Sequence, residues 1–162
     1  MRQLRSRING HSVENEVADD LLLVTYLRER VKLTGTHIGC DTSQCGACVV
    51  MLDGVAVKSC TILACQTDGG QITTIEGLET KDDLHPMQIA FRTRHGLQCG
   101  YCTPGMIISA IDYVASGGAL DEEAIRGALE GNICRCTGYH NIIRAVQHGA
   151  ALMAQAEGAQ ND

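Results

Sequence analysis

The sequence has no tryptophan, and its 162 residues include only four tyrosines and one phenylalanine. Large aromatic side chains normally supply much of the buried surface of a small core. If the chain forms two domains of about 80 residues, each lies in the size range where a hydrophobic core alone leaves little stability. We therefore expect another source of stability in the fold.

Long apolar runs and blocks of like charge are absent as well. No segment approaches the roughly 18 consecutive apolar residues of a membrane span, and the opening MRQLRSR is not followed by an apolar signal core. Thirteen Lys and Arg against nineteen Asp and Glu give a net charge of -6 without a basic cluster for nucleic acid or an anionic bilayer. We therefore expect no transmembrane segment, no nucleic-acid partner, and a cytoplasmic location that includes the cytoplasmic face of the inner membrane.

Cysteine, in contrast, is abundant, with nine residues. In a reducing compartment, closely spaced cysteines hold metal more often than they form disulfides. Metal binding also stabilises small domains whose cores are weak. We therefore interpret the cysteines first as metal ligands.

The first half of the chain predicts a compact α+β domain. Two hairpin signals, Asn9-Gly10 and Asp53-Gly54, each separate short alternating or apolar runs. A long glycine-bearing loop over 34–47 lies between the two hairpins. The predicted elements are strands at 4–8, 13–17, 49–52, 55–58 and 72–75, a helix at 21–30 and a short helix at 61–66.

The second half predicts four helices. Thr103 is the expected cap of the second helix with Pro104 at its first position, and Asp121 opens the third. The predicted helices cover 85–95, 103–116, 121–131 and 141–156, before a frayed tail over 155–162. The sequence thus predicts domains at 1–77 and 84–162, joined by a linker over 76–83. The core shared by the four helices is expected to contain Ile89, Met106, Ile107, Ile111, Val114, Ile125, Leu129, Ile142, Ile143, Val146 and Leu152.

Four cysteines of the first half have the spacing of plant-type ferredoxins, C-x4-C-x2-C with a distant fourth cysteine. They are Cys40, Cys45, Cys48 and Cys60. A [2Fe-2S] cluster needs four thiolates, two for each iron, and glycines such as Gly39 and Gly46 let backbone N–H groups approach its bridging sulfides. Such a loop is a poor zinc ribbon, so this quartet favours an iron-sulfur cluster.

The second half contains another quartet, Cys99 and Cys102 as C-x2-C and Cys134 and Cys136 as C-x-C. By spacing alone, zinc and an iron-sulfur cluster remain equally open for it. Cys65 is left over and is interpreted as a small core residue.

His37, near the first quartet, could ligate iron as in a Rieske centre, but one cysteine of the quartet would then be surplus. We therefore expect His37 to pack or to form hydrogen bonds.

Three segments resemble the signatures of one family. Residues 39–48 (GCDTSQCGAC), 96–106 (GLQCGYCTPGM) and 131–139 (GNICRCTGY) look like those of the iron-sulfur subunits of the xanthine oxidase family of molybdenum hydroxylases. Within that family, residues 33–39 (LTGTHIG), 52–54 (LDG) and 57–61 (VKSCT) make the chain most similar to the small subunits of aerobic carbon monoxide dehydrogenases.

The resemblance implies a β-grasp, plant-type ferredoxin-like domain followed by an all-α four-helix domain, each with a [2Fe-2S] cluster. It further implies a large subunit with molybdopterin cytosine dinucleotide, a medium subunit with FAD, and a dimer of such heterotrimers. Electrons would pass from molybdenum through the second-half cluster, then the first-half cluster, to the flavin. The implied reaction is oxidation of carbon monoxide to carbon dioxide, or of an aldehyde or nitrogen heterocycle.

The resemblance also implies individual roles. Gln98 would contact the pterin, Cys136 would be the cluster ligand closest to it, and no catalytic residue would lie in this chain. Residues 98–104 and 134–139 would be covered by the large subunit, which would account for Tyr101 and Met106 at exposed helix starts. A stand-alone ferredoxin-like carrier and a zinc-stabilised interaction module are the alternatives from other classes.

Overall fold

The computed structural model describes residues 1–79 and 83–160 and confirms the predicted α+β class. Five strands form one sheet in the first half, and four longer helices follow in the second half. The elements are β1 Arg2–Ile8, β2 His11–Val17, α1 Leu23–Thr25 with a π-helical continuation Tyr26–Arg30, β3 Val49–Leu52, β4 Val55–Lys58, β5 Gln71–Thr73, α2 Pro86–Thr93, α3 Thr103–Ala115, α4 Glu122–Ala128 and α5 His140–Gln160.

The sheet is mixed, with the strand order β2-β1-β5-β3-β4. The two predicted hairpins, β1 with β2 and β3 with β4, are antiparallel pairs, while β5 runs parallel to β1 between them. Both residues of each tight turn, Asn9-Gly10 and Asp53-Gly54, have positive φ angles. Asn-Gly and Asp-Gly are the dipeptides that adopt this conformation most readily, which is why the two hairpins could be recognised from the sequence.

The core of the first half lies between the sheet and the helical segment that begins at Leu23. Tyr26 in that segment is fully buried, and its hydroxyl accepts a hydrogen bond from Asn15 Nδ2 at 2.9 Å. Burial raises the pKa of Tyr26, and the bond from Asn15 opposes this in part. The buried members are Leu4, Ile8, Val17, Leu23, Tyr26, Leu27, Val50, Ala64 and Ile72.

The helix predicted over 21–30 begins two residues late because Leu22 forms an isolated antiparallel bridge with Leu63. The strand predicted over 72–75 ends at Thr73, since the Asn9 side chain holds both the backbone N–H and the hydroxyl of Thr74. The short helix predicted over 61–66 is replaced by two 3-10 turns, Ser59–Thr61 and Ala64–Thr67. In each case a contact distant in sequence overrides the local pattern.

The second half has its own core, in which α2 and α5 pack along each other against α3. Eight of the eleven predicted core residues are buried, while Ile89, Val114 and Leu152 are only partly buried. The prediction missed Met87, Phe91, Ala110 and Ala145. The two cores are joined, since Met51 and Ile75 of the first half pack against the second.

Several predicted helix ends are wrong. Cys102, not Thr103, precedes the first residue of α3, and the Thr103 hydroxyl is buried with no hydrogen-bond partner among the described residues. The α4 helix ends at Ala128 instead of 131, and α5 continues through Gln160 instead of fraying from 155. Residues 80–82 of the predicted linker and 161–162 of the predicted tail lie outside the described residues.

No helix among the described residues combines the length and hydropathy needed to cross a bilayer.

Candidate metal centres

The first cysteine quartet lies at the end of the sheet formed by β3 and β4. Cys48 directly precedes β3 and Cys60 follows β4 by two residues, so the antiparallel pairing of these strands places the two side by side. Ser59 strengthens this arrangement, because its backbone N–H and its hydroxyl both donate to the Cys48 carbonyl, at 3.2 and 2.6 Å. The thiols of Cys48 and Cys60 interact with each other.

The other two sulfurs of this quartet lie in the loop before β3. The backbone N–H of Cys45 donates to Cys40 Sγ at 3.4 Å. Backbone hydrogen bonds, first from Cys45 and then from Thr42, lower the pKa of Cys40 to about 6. Burial raises the pKa of Cys48 to about 11. A loop whose N–H groups point at a sulfur is the environment that a thiolate ligand of an iron-sulfur cluster requires.

The second quartet joins a turn and a loop of the helical half. Cys99 and Cys102 lie in the turn that leads into α3, and Cys134 and Cys136 lie in the loop between α4 and α5. The thiol of Cys102 interacts with that of Cys134, and Cys99 interacts with Cys136. Burial raises the pKa of Cys102 to about 12, whereas Cys99 and Cys136 are exposed.

Two polar residues after the C-x-C, neither of them predicted from the sequence in this role, hold Cys134 in place. The Thr137 hydroxyl lies 3.1 Å from Cys134 Sγ. Burial alone would raise the pKa of Cys134, but hydrogen bonds led by those from Thr137 outweigh it and lower the pKa. The Tyr139 hydroxyl accepts from the Cys134 backbone N–H at 2.8 Å and donates to the Asn132 carbonyl at 3.0 Å. The polar residues that follow Cys136 were the feature of the sequence from which this role could have been predicted.

A cavity of about 200 Å³ lies between the two quartets. All four cysteines of the second quartet line it, together with Cys45 of the first, Tyr101 and Ile133. Its lining supplies soft sulfur donors and no carboxylate, which suits iron-sulfur clusters or zinc. Hydrogen bonds between the thiols are pairwise, and further electrostatic interactions connect the two pairs within each quartet. Paired thiols are the arrangement that the two irons of a [2Fe-2S] cluster need.

The loops of the two quartets are joined by one backbone hydrogen bond and one side-chain hydrogen bond. The Ile133 N–H donates to the Cys45 carbonyl at 2.8 Å, and Asn132 Nδ2 donates to the Gly46 carbonyl at 3.3 Å. Gly46 has a φ of 71°, and a Cβ there would lie 2.3 Å from the Gly131 carbonyl oxygen. A Cβ on Gly105, in α3, would lie 2.1 Å from the Gly46 carbonyl oxygen. Gly46 therefore permits close contact between the halves.

The other residues singled out in the sequence differ in location and in exposure to solvent. Gln98 is exposed directly before Cys99, and Tyr101 is 49% exposed. Met106 is fully buried in the chain's own helical core, so the expectation that it lies at an exposed helix start is wrong. Cys65 packs against the first core with its sulfur 3.5 Å from the Asp19 carbonyl oxygen.

His37 forms hydrogen-bonding and stacking contacts with Tyr101, in the role expected for it.

Comparison with known proteins identifies two domain families in the chain. Residues 6–68 match a 2Fe-2S iron-sulfur cluster binding domain, and residues 74–147 match a second [2Fe-2S] binding domain. The chain is thus a protein with two [2Fe-2S] domains, one for each quartet.

Three relatives identify the family. The caffeine dehydrogenase subunit gamma of Pseudomonas sp. strain CBB1 is 42% identical over 144 residues, which cover 86% of each chain. The crystal structure of quinoline 2-oxidoreductase from Pseudomonas putida 86 matches with a TM-score of 0.91 and 40% identity, covering 97% of each chain. That of the aldehyde oxidoreductase from Desulfovibrio desulfuricans matches with a TM-score of 0.90 and 38% identity, covering 96% of this chain and 17% of the other.

The chain belongs to the iron-sulfur subunits of the xanthine oxidase family of molybdenum hydroxylases. It is an oxidoreductase subunit.

We expect Gly105→Ala to destabilise the protein by about 1–3 kcal/mol, because the added methyl group would push the Gly46 loop away. The matched control is Gly127→Ala, which is also helical but has no atom within 4 Å of the added Cβ. Its higher helix propensity should leave stability unchanged or raise it by up to about 1 kcal/mol. Urea unfolding of both variants measures the difference, and equal midpoints would contradict the close contact.

Proposed function

We propose that this chain relays electrons, one at a time, through two [2Fe-2S] clusters inside a molybdenum hydroxylase complex. The observation that carries the proposal is the pair of cysteine quartets whose loops touch across one sulfur-lined cavity. Substrate oxidation at molybdenum releases two electrons together, whereas each [2Fe-2S] cluster accepts one. Two clusters in series would therefore let the molybdenum centre be reoxidised in single-electron steps.

The paired thiols indicate which residues would share an iron. In the first cluster, Cys40 and Cys45 would bind one iron and Cys48 and Cys60 the other. In the second, Cys99 would pair with Cys136 and Cys102 with Cys134. The protein would hold the thiolates, donate hydrogen bonds to their sulfurs and limit access of water, and these factors set the potential of each cluster.

The second cluster would face the molybdopterin cytosine dinucleotide of a large subunit. Gln98 and the two ligands Cys99 and Cys136 are exposed on this side. Apolar side chains beside them are also exposed, including Leu97 at 38% and Ile133 at 52%. A partner covering residues 98–104 and 134–139 would bury these apolar groups and bring the pterin to Gln98 and Cys136.

Further parts of the assembly follow from the same proposal. A medium subunit would bind FAD and receive electrons from the first cluster, and two heterotrimers would form a dimer. The domains would be residues 1–77, a β-grasp ferredoxin-like unit, and 84–162, a four-helix unit. A cytoplasmic location remains a prediction from the sequence.

The substrate would be bound by the large subunit. The names of the caffeine and quinoline relatives favour a nitrogen heterocycle, and that of the aldehyde oxidoreductase keeps an aldehyde as an alternative. Carbon monoxide, which the motif resemblance favoured, is the third possibility, although none of these three relatives is named for it.

The deciding experiment is anaerobic purification of the native complex, followed by separate addition of quinoline, an aldehyde or carbon monoxide. We expect iron-sulfur and flavin bands in the visible spectrum that bleach with one of these substrates. Bleaching by one substrate alone identifies its class. A monomer without molybdenum would support the stand-alone carrier, and a colourless protein with two zinc ions per chain would support the zinc module.

We expect Cys99→Ser to remove the second cluster's electron paramagnetic resonance signal and to block electron flow, while the first cluster keeps its signal. The reason is that each quartet lies on separate chain segments and gathers its own metal. Iron should fall from about four to about two atoms per chain.

Cys65→Ser is the matched control, because Cys65 lies outside both quartets and should keep both signals and all the iron. Loss of both signals in Cys99→Ser would show that the two centres do not form independently.

Gln98→Ala should lower the molybdopterin content of the purified complex without changing its iron content, because the exposed amide would no longer contact the pterin. Gln155→Ala, an exposed glutamine on α5, is the control. The measurement is the molybdenum and iron content of both complexes, with molybdenum reporting the bound molybdopterin. A fall in iron in Gln98→Ala would mean that this side chain supports the cluster instead.

A further inference from the structure

One contact between the two cluster loops is made by side chains at the rim of the shared cavity. The rings of His37 and Tyr101 are stacked, with centroids 4.5 Å apart and an angle of 18° between their planes. His37 Nδ1 lies 2.8 Å from the Tyr101 carbonyl oxygen, and the Tyr101 hydroxyl donates to the Ile38 carbonyl at 2.8 Å. We call this pair of residues the His37–Tyr101 clasp.

The clasp connects segments that belong to different clusters. His37 lies three residues before Cys40, and Tyr101 lies between Cys99 and Cys102. Because a carbonyl oxygen only accepts hydrogen bonds, His37 must carry its proton on Nδ1 in this contact. Two hydrogen bonds of opposite direction and one ring stack therefore tie the first cluster's loop to the second cluster's turn.

Tyr101 connects the clasp to the sulfur-lined cavity and to the backbone before Cys40. Tyr101 lines the cavity with the sulfurs and is also half exposed, so this residue reaches from the cavity to the surface. A Cβ on Gly39 would lie 3.5 Å from the Tyr101 ring and 3.1 Å from Cys45 Sγ. The ring therefore lies directly against the backbone that precedes the first cluster's ligands.

The other contacts between the loops differ from the clasp in kind. The Cys45–Ile133 hydrogen bond joins backbone groups, and the Asn132 amide that reaches the Gly46 carbonyl is buried. Of these contacts, the one made by Asn132 is buried, whereas Tyr101 in the clasp is half exposed. Within its own half, the loop over 37–40 is also held by the His37 N–H, which donates to the Ala47 carbonyl at 3.2 Å. Without the clasp, this loop would lose its side-chain contacts with Tyr101 while the other bonds remained.

We propose that the His37–Tyr101 clasp is a positioning device that sets the separation of the two clusters and thereby the rate of electron passage between them. This inference rests on the proposed relay. Electron tunnelling falls exponentially with distance, so a small displacement of one loop has a large effect on the rate. His37 and Tyr101 bind no iron and act only through the loops that they join.

The test uses the purified complex and four single variants. His37→Ala removes one hydrogen bond and the stack, and His37→Phe keeps a ring for stacking but loses the hydrogen bond. Tyr101→Phe removes only the bond to Ile38. The matched control is Tyr113→Phe, because the Tyr113 hydroxyl also donates to a backbone carbonyl, that of Ala119 at 2.7 Å, within the helical half and outside both quartets.

Two readouts distinguish positioning from general support of the fold. The magnetic coupling between the two reduced clusters, seen by electron paramagnetic resonance, depends on the inverse cube of their separation. Flash reduction followed by absorbance measures the rate of electron passage between the clusters. We expect His37→Ala to weaken the coupling and to slow this passage, with intermediate effects in His37→Phe and Tyr101→Phe and no change in Tyr113→Phe. Iron content and the separate signal of each cluster should stay unchanged.

The outcomes separate this inference from the proposed function. If His37→Ala retains both clusters with unchanged coupling and rate, the clasp has no positioning role and the inference is wrong. The inference is also wrong if His37→Ala loses a cluster, because the clasp would then support cluster binding itself. If the unmodified complex holds no [2Fe-2S] clusters, the proposed relay fails before the clasp is tested.

Discussion

The contact between the Gly46 carbonyl and α3 at Gly105 is the constraint on which the rest of this structure depends. At both positions a Cβ would overlap a backbone carbonyl oxygen, so the Gly46 loop and α3 approach as closely as they do because neither glycine carries a side chain. This approach lets the Cys45 carbonyl accept a hydrogen bond from Ile133, the residue before Cys134. It also gives sulfurs of both quartets a common cavity.

The two cysteine quartets also account for the unusual composition. Each half has a small core with few aromatic side chains, Tyr26 in one and Phe91 in the other being fully or almost fully buried. Most of the cysteines of both quartets lie in loops and turns, and Cys60 lies in the 3-10 turn Ser59–Thr61. Four metal–thiolate bonds in each half would supply the free energy of folding that these cores and loops do not. Stability and electron transfer would then depend on the same eight sulfurs.

The parts of the fold that were predicted correctly are those with a local cause. Asn9-Gly10 and Asp53-Gly54 have the positive φ angles that such dipeptides adopt, and both hairpins have the expected strands. The errors have causes distant in sequence. The bridge between Leu22 and Leu63 delays the start of α1. Met106 is covered by the helices of its own domain, which a pattern of residues near a helix start does not reveal.

The sequence by itself determined the family to which the chain belongs, and it predicted the eight sulfur ligands and their division into two quartets, because ligand spacing and local motifs are properties of short segments. Only the tertiary structure decided which thiols lie next to each other, that Thr137 and Tyr139 hold Cys134, and that His37 lies against Tyr101. These contacts join residues from different loops, and His37 and Tyr101 are 64 positions apart. Their geometry is set by how the sheet and the helices pack, which no local pattern encodes.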